Sequence, residues 1–443
     1  MRIVRTVKPQ VLLCDKLSQK AYRKFSTGEN TTLLSYSWNK DLYTFGGAFT
    51  LTIKDDGTDL IDDVQMLDVV QIIENETEKA DFIGIITAVT YNASATGKKQ
   101  ISIQGKSIES LLDMFTIALD ATAMIFAGKS ANNASMQLNF AKDLSSQKKP
   151  LTIKNVLEIV FDKFEETAGK FPNVSSTTIG EMIKKWIGED FFEVPKEDGK
   201  ETEFKYPISS NLIQNATITY PGYIRNLLPQ PLYELYGETK DGSTKVICRK
   251  VPFGEKDWKK LIVEKISPDT LTNFVLGRNC EEVYTAFIPY LEGSNFSPNF
   301  YQVKNGSKEG YKGSNINTEK LKVYGYRPLN CDFHGYKMEG TTEEQEGSLF
   351  ENTSKELSEW YGYLDDMYNA NFSIINIINE NKPVLGGIAQ FGEAKFYVTG
   401  VEHTWSYGDT AMINYQCERG GLYSEDGKFQ PVKKFQKLGG YLL

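Results

Sequence analysis

Apolar and polar side chains alternate along much of the chain up to residue 105. The alternating segments are short, contain many β-branched residues and are separated by Gly, Asp and Asn turns; they span residues 48–53, 69–73, 81–91 and 100–105. Short strands at regular spacing with such turns predict a β-sandwich or a β-barrel. Residues 107–113 then predict a short helix, for which Ser107 is a suitable N-cap.

Between residues 115 and 205 the apolar spacing changes to that of helices. Apolar residues recur every three to four positions in two runs, from Ile153 to Phe164 and from Ile179 to Ile187. This spacing predicts two amphipathic helices, and Thr152 can cap the first. The run 121–127 fits a strand and a buried helix equally well. A helical insertion thus follows the first β region.

A second β region begins at residues 216–220. Residues 232–237 and 245–249 predict a hairpin that turns at Asp241-Gly242, because Asp-Gly favours the tight turn of a two-residue hairpin loop. Three more predicted strands close the region, and they span residues 372–378, 395–403 and 411–419.

Three other segments lie inside this second region. Apolar spacing predicts a short helix over Asn279–Leu291, the end of which Pro289 disturbs. Gly, Ser and Asn dominate residues 293–320, which predicts a long exposed loop. Residues 349–368 predict a longer amphipathic helix. Each β region therefore contains strands and a helix, which leaves room for two similar folds.

The composition, with 40% hydrophobic and 24% charged residues, is typical of a soluble globular protein. A net charge of −8 argues against a protein that grips nucleic acid through a basic surface. No signal-peptide core and no apolar stretch of membrane-spanning length is present, so maturation in the cytoplasm is expected. Buried, reduced thiols are expected for the five cysteines, which lack metal-ligand spacing: Cys14, Cys248, Cys280, Cys331 and Cys417.

Candidate chemistry is sparse. The only histidines, His334 and His403, form no metal-binding motif, and we expect His403 to be a structural or surface residue in a strand. Gly105-Lys106-Ser107 lacks the glycine that a phosphate-binding loop needs five residues earlier, so a strand end before a helix is expected there. Solvated turns or helix faces are expected for the acidic doublets, which are Asp55-Asp56, Asp62-Asp63, Glu281-Glu282 and Asp365-Asp366. We therefore predict no catalytic residue, no cofactor, no metal site and no enzyme.

Several segments match short sequence patterns when they are taken together in chain order. A strand at Phe82–Ile86 leads to Ile103–Asp113, where Gly105-Lys106-Ser107 turns into a helix ending in a Leu-Leu pair. The strand Val246–Phe253 ends in Arg-x-x-Pro-Phe. The closing segments are Lys382–Gly386, Phe396–Trp405 and Tyr415–Gly420. In this order the segments resemble the hub proteins of contractile-tail baseplates, the trimeric hub family of large myophages and phage-tail-like bacteriocins (tailocins).

The resemblance implies two tube-like β-barrel domains, and the apolar spacing adds a helical insertion that matches nothing in the family. The expected fold is therefore β-rich α+β, with two tube-like β-barrel domains plus a helical insertion. The first tube-like domain would span residues 1–114 and the helical insertion 115–205. The second would span 206–425, with an inserted helix and loop segment at about 279–345. The tail at 426–443 is expected to be a docking arm or a terminus without fixed structure.

Hubs of this family form trimers, and the six barrels of a trimer form a ring. The resemblance therefore implies a homotrimeric hub of a tail baseplate, a symmetry adaptor between the sixfold tail tube and the threefold central spike. Strands of both β regions would line a central channel with polar, acidic side chains. Two alternatives stay open: the hub of a non-contractile phage tail, and a β-type polysaccharide-degrading enzyme.

The resemblance also implies the partners. These are the tail tube or tube-initiator protein, the central spike protein and other baseplate proteins. The composition adds the expectation of no membrane span and no sequence-specific nucleic-acid binding. The expected location is a virion or tailocin baseplate assembled in the cytoplasm of the host bacterium.

Overall fold

The computed structural model describes residues 7–27, 32–57, 59–76, 78–93, 99–114, 116–118, 152–168, 177–188, 190–196, 217–228, 230–252, 255–290, 315–332, 343–378, 380–424 and 429–430. The candidate histidine His334, the run 121–127 and the tail beyond residue 430 lie outside these residues.

The first β region contains seven of the described strands. They are β1 Gln10–Cys14, β2 Ala21–Ser26, β3 Leu33–Asp41, β4 Ala48–Lys54, β5 Val69–Ile73, β6 Phe82–Ala93 and β7 Lys99–Ser107. The short helix α1 (Leu60–Asp63) lies between β4 and β5, and a 3₁₀ turn (Ile108–Ser110) with helix α2 (Leu111–Met114) follows β7. The four predicted strands are confirmed. Ser107 precedes the helix as predicted but does not cap it, because its Oγ accepts from the Gly47 N–H at 2.6 Å.

The middle of the chain contains helices and short strands. They are β8 Thr116–Ala118, α3 Ile153–Ala168, α4 Thr178–Met182, which continues as a π-helical turn at Ile183–Ile187, β9 Phe192–Glu193, β10 Thr217–Thr219 and α5 Tyr220–Leu227. Both predicted helices are confirmed, and Thr152 Oγ1 caps the first by accepting from Asn155 N at 3.2 Å. Helix α5 was not predicted, although Thr219 caps it and Pro221 lies in its first turn. The apolar faces of α3, α4 and α5 share one core with the first β region.

The second β region contains the remaining elements. They are β11 Tyr233–Lys240, β12 Ser243–Lys250, α6 Glu255–Trp258, β13 Val263–Lys265, β14 Leu271–Gly277, β15 Ala286–Tyr290, β16 Asn315–Ile316, α7 Thr318–Tyr324, β17 Pro328–Asp332, α8 Glu343–Tyr361, a 3₁₀ turn Leu364–Asp366, β18 Tyr368–Ile375, β19 Ile388–Phe391, β20 Ala394–Ser406, β21 Met412–Tyr423 and β22 Phe429–Gln430. The predicted hairpin is confirmed, with Asp241 and Gly242 at φ 52° and 77° in its two-residue turn.

Three predictions in this region need correction. The helix over Asn279–Leu291 is wrong: Ala286–Tyr290 is a strand that pairs in parallel with β17. Its apolar residues are buried on both faces, so their spacing imitates a helix. The helix predicted to residue 368 ends at Tyr361, and Tyr368 begins β18. The described end of the predicted loop 293–320 contains β16 and the start of α7.

Among the described residues, both β regions contribute to one 14-stranded sheet that is curled as a half-barrel. The order along its path is β14-β18-β21-β20-β3-β4-β7-β6-β5-β1-β2, with β13, β19 and β22 attached to it. In the first region, buried side chains of β1 and β5 pack against β3, β4 and β7. In the second, β19 packs with β18, β20 and β21. The predicted β-rich fold is confirmed, and the two regions are continuous through strand pairing.

Five strands of each region form the same motif. In the N-terminal motif the order is β3-β4-β7-β6-β5, and in the C-terminal motif it is β14-β18-β21-β20-β19. In chain order both motifs therefore have the arrangement 1-2-5-4-3, and all neighbouring strands within them are antiparallel. The described part of the chain thus contains two copies of one five-stranded motif.

Irregularities of the backbone coincide in the two motifs. Strand β6 shifts register against β7 between Ile86 and Ala88, and β20 shifts against β21 between Val398 and Gly400. The first strands shift as well, at Leu33/Ser35 in β3 and at Leu271/Asn273 in β14. The C-terminal motif has two further shifts, in β18 and at the start of β20. Because bulges are positioned features of a fold, the shared ones fix which residues correspond.

A side-chain hydrogen bond repeats at the shared bulge of β6 and β20. Thr87 Oγ1 donates to the Gln104 carbonyl at 3.4 Å, and Thr399 Oγ1 donates to the Gln416 carbonyl at 3.3 Å. Both bonds span the third antiparallel pair of the motif, from its fourth strand to its fifth. The correspondence therefore extends from strand order to individual atoms.

Candidate functional site: the strand junction and polar face of the sheet

The two motifs join where the second half of β20 pairs with β3. Residues Gly400–Ser406 pair antiparallel with Ser35–Asp41 in one unbroken register. The first half of β20 pairs instead with β19, so this long strand belongs to one motif and extends to the other. The junction is therefore built from the fourth strand of one motif and the first strand of the next.

One face of the joined strands carries hydroxyl and amide side chains. A row of paired residues crosses four strands at Thr404, Ser37, Thr50 and Gln104. A neighbouring row follows Ser373, Asn414, Glu402 and Asn39. Because successive side chains of a strand point to opposite faces, the alternate positions, such as Tyr36, Trp38 and Phe49, are buried in the core. The sheet thus presents a polar surface that is continuous across both motifs.

The charge on this face is mixed. The described strands place few charges here and in both signs, with Glu402 and Lys106 exposed. Neutral amides and hydroxyls occupy most of the face because they can bond across strands, as Asn414 Nδ2 does to Glu402 Oε2 at 3.0 Å. The face is polar but not acidic.

A buried carboxylate lies behind the junction. Glu74, after β5, accepts hydrogen bonds from Tyr36 Oη at 2.9 Å and Trp38 Nε1 at 3.1 Å. It also bonds to two residues of the C-terminal motif, Asn376 at 2.9 Å and His403 Nδ1 at 2.5 Å. The network therefore ties both motifs together beneath their shared strands.

The electrostatics of the network follow from burial and from its partners. Burial opposes the ionised form of Glu74, but His403 and the hydrogen bonds outweigh it and hold the pKa of Glu74 below its ordinary value. Burial, with the charge of Glu74, raises the pKa of Asp81. Burial also lowers the pKa of Lys382, whose ammonium donates to Asn376. A buried acid of this kind is stable only while its partners stay in place.

The hairpin β11–β12 is attached to both motifs through the charged side chains of Lys40 and Arg249. Lys40 of β3 contacts Glu109 at 2.9 Å and also donates to Gly237 O and Thr239 Oγ1, both at 3.3 Å. The hairpin is thereby attached to the N-terminal motif.

On its other side, Arg249 of the hairpin contacts Glu234 at 2.9 Å and donates to Gly386 O at 2.8 Å and Tyr397 Oη at 2.7 Å. A cleft of about 280 Å³ opens beside Arg249. Because hydrogen-bonding partners already hold the guanidinium, the cleft does not present it as a free anion-binding group.

The residues considered for chemistry have structural surroundings. His403 stacks on Trp38 with ring centroids 4.0 Å apart and bonds to Glu74, so its imidazole has partners within the strand junction. Gly105-Lys106-Ser107 ends β7 before the 3₁₀ turn, as predicted. Asp55 accepts from Gly57 N in a turn, and Asp365 pairs with Lys320.

Sequence reasoning missed the buried charged residues. They include Glu74, Lys40 and Glu109. An isolated charged residue in a strand or turn is normally exposed, and the partners of these three lie far away along the chain. No signal in the sequence marks them as buried.

Four cysteines are buried, as expected, but Cys280 is exposed. Burial raises the pKa of Cys14 to about 11 and that of Cys248 to about 12, so these thiols stay protonated. Within the described part of the chain, no group of three His, Cys, Asp or Glu side chains is placed to hold a metal ion. No helix among the described residues is long and apolar enough to cross a membrane.

The fold is similar to that of a solved tail protein. No family model matches the sequence, and no curated protein matches it. A solved tail protein from Neisseria meningitidis MC58 matches with a TM-score of 0.50 and 11% identity, over 95% of this chain and 99% of that one. The chain therefore has a β-rich tail-protein fold.

Two further solved structures are similar at lower scores. The 43 kDa tail protein of prophage MuSo2 from Shewanella oneidensis matches with a TM-score of 0.48 and 12% identity, over 93% of this chain and 98% of that one. The E. coli c3393 protein is described as a type VI secretion component with structural similarity to the T4 tail proteins gp27 and gp5. It matches with a TM-score of 0.42 and 8% identity, over 90% of this chain and 76% of that one.

Proposed function

We propose that the chain is the hub of a tail baseplate, a homotrimer in which six copies of the motif form a ring. The repeated motif is the observation that carries this proposal, and the tail-protein fold supports it. One junction between two copies exists within the chain, at β20 and β3. Repeating the same junction between chains closes a ring, and cyclic symmetry is the ordinary way to satisfy a head-to-tail contact.

Six similar units from three chains suit a protein between partners of different symmetry. A sixfold tail tube would contact all six motifs, and a threefold spike would contact features present once per chain, such as the hairpin β11–β12 and helix α8. The partners proposed are therefore the tube or tube-initiator protein, the central spike and other baseplate proteins. The protein would act in a phage or tailocin particle assembled in the host cytoplasm, without catalysis or a cofactor.

The polar face would line the channel of this ring. Neutral hydroxyl and amide groups offer little electrostatic attraction to a charged cargo, because strong binding to nucleic acid needs clustered Lys and Arg. The channel surface would therefore let a chain or a tube pass without holding it.

Native mass spectrometry of the purified full chain tests this proposal. We expect a trimer, alone or on addition of its tube and spike proteins, and binding of both partners to the same particle. A chain that stays monomeric in the presence of both partners would overturn the proposed hub.

A further inference from the structure

Strands β6 and β20 occupy the same place in the two motifs but have different surroundings. The first half of each pairs with the third strand of its own motif, β5 or β19. The second half of β20 continues along β3. The second half of β6, Thr87–Ala93, pairs with β7 on one side, and no described strand lies on its other side.

Strands β3 and β14 form the matching pair of edges. Strand β3 is covered by β20, whereas β14 ends the described sheet with β18 as its only partner. The shared bulge makes Tyr36 correspond to Phe274, and Trp38 to Leu276. Tyr36 and Trp38 are buried at the junction, but Phe274 and Leu276 are only half-buried. The edge of β14 therefore lacks the cover that its counterpart has.

The side chains of these two edges favour strand pairing. Neither Thr87–Ala93 nor Leu271–Gly277 contains a charged residue or a proline, the usual protections of an exposed edge. Tyr91 and Val275 are large apolar residues that are 40% and 52% exposed. Strand β2, at the other end of the sheet path, carries Arg23 and Lys24 and is protected in this way.

We infer that β6 of one protomer pairs antiparallel with β14 of the next, in the register of the β20–β3 junction. Thr404 and Ser37 lie opposite each other at the β20–β3 junction. In the other motif, Asn92 corresponds to Thr404 and Val275 corresponds to Ser37. Asn92 therefore lies opposite Val275 of the neighbouring copy. In the same register Thr90 lies opposite the neighbour's Gly277. All four positions are exposed before pairing. The occupant of each edge is thus a second copy of this chain.

Disulfide cross-linking tests the register, and the inference rests on the proposed trimer. In a Cys280→Ser background, which removes the exposed native thiol, the full chain carries Asn92→Cys with Val275→Cys. Paired strands bring opposite Cβ atoms within about 5 Å, close to disulfide range. Mild oxidation should convert most of the chain to covalent dimers and trimers on a non-reducing denaturing gel. Thr90→Cys with Gly277→Cys should give the same covalent dimers and trimers. This second pair replaces the first if the first variant does not fold.

The matched control shifts one cysteine along the strand. Ala88→Cys with Val275→Cys places the thiols four residues apart in the inferred register, about 13 Å, so cross-linking should fall at least tenfold. A trimer by mass in which both test pairs cross-link no better than this control would overturn the register and leave the hub proposal standing. A chain that stays monomeric by mass, even with its tube and spike proteins present, would overturn both.

Discussion

Glu74 shows how one residue couples the two motifs. It is buried, yet it receives donors from β3, from β20 and from the segment after β18. Because the pKa of Glu74 is held below its ordinary value, folding favours its ionised form. That stabilisation is complete above the unfolded-state pKa, near 4.3, and is lost as the pH falls through the lower folded-state pKa.

Glu74→Gln should therefore lower the free energy of unfolding and change how that free energy depends on pH. At pH 7 we expect the free energy of unfolding to fall by about 3 kcal/mol, because buried partners lose their ion. Below about pH 5 the variant should lose less additional stability than the parent. Urea titrations from pH 7 to pH 3 measure both effects, with exposed Glu402→Gln as a control that changes stability by under about 0.5 kcal/mol. An unchanged pH slope in Glu74→Gln would contradict the proposed role of this carboxylate.

The Lys40–Glu109 pair supports a second residue-scale prediction. The Glu109 side chain is fully buried, and Lys40 is the cation in contact with it. Lys40→Met should cost about 3–5 kcal/mol because it leaves an uncompensated buried charge. Adding Glu109→Gln should recover part of that loss in chemical denaturation, whereas additive losses would show that the two side chains do not act as a pair.

At the scale of elements, Gly386 controls how the hairpin meets the C-terminal motif. Gly386 precedes β19 and has a φ of 69°. The residue at the same place before β5 is Leu67, with a φ of 70°. Both residues donate their N–H to the fourth strand, Leu67 to Ile86 O at 2.9 Å and Gly386 to Val398 O at 2.8 Å. A Cβ at Gly386 would collide with the guanidinium of Arg249. The glycine is therefore required by packing rather than by its backbone angle alone.

Gly386→Ala should consequently lower the free energy of unfolding more than Gly408→Ala does, although both glycines have a positive φ. Gly408 has φ 88°, and the space that a Cβ would occupy there is open, so Gly408→Ala should cost only the left-handed strain of about 1–2 kcal/mol. Gly386→Ala should lose about 2 kcal/mol more, since it also disturbs charge-assisted hydrogen bonds of Arg249. Equal thermal shifts for the two variants would show that the Arg249 contacts contribute little.

Elements were predicted well from the sequence where one of their faces is buried. Strands β4 to β7, the hairpin and helix α3 follow from simple periodicity and turn chemistry. Prediction failed at Ala286–Tyr290, where burial on both faces removed the alternation. It also missed α5, where Thr219 and Pro221 were available as start signals.

At the scale of the whole molecule, the sequence left room for two similar folds but did not show the repeat. The motifs share backbone register and bulges, while few side chains agree beyond Thr87 with Thr399 and Gln104 with Gln416. Backbone hydrogen bonding is independent of side-chain identity, so such a repeat persists when the amino-acid sequences of the two copies differ. The buried ions at the junctions were equally hidden, because their partners lie far away in sequence.

The domain boundaries inferred from the resemblance remain predictions. The described helices α3 to α5 share a core with the first β region, and the β20–β3 pairing joins the two regions into one sheet. Separating the two regions would therefore expose the edges of β20 and β3 that pair at the junction. Limited proteolysis that releases two separately stable halves would contradict that expectation.

Cryo-electron microscopy of the purified protein, imaged along the ring axis, is the sharpest test of the proposed hub. We expect a closed ring of three chains in which six similar β units alternate around a channel. A particle with a single motif per repeat, or three chains that do not close a sheet, would contradict the proposed assembly.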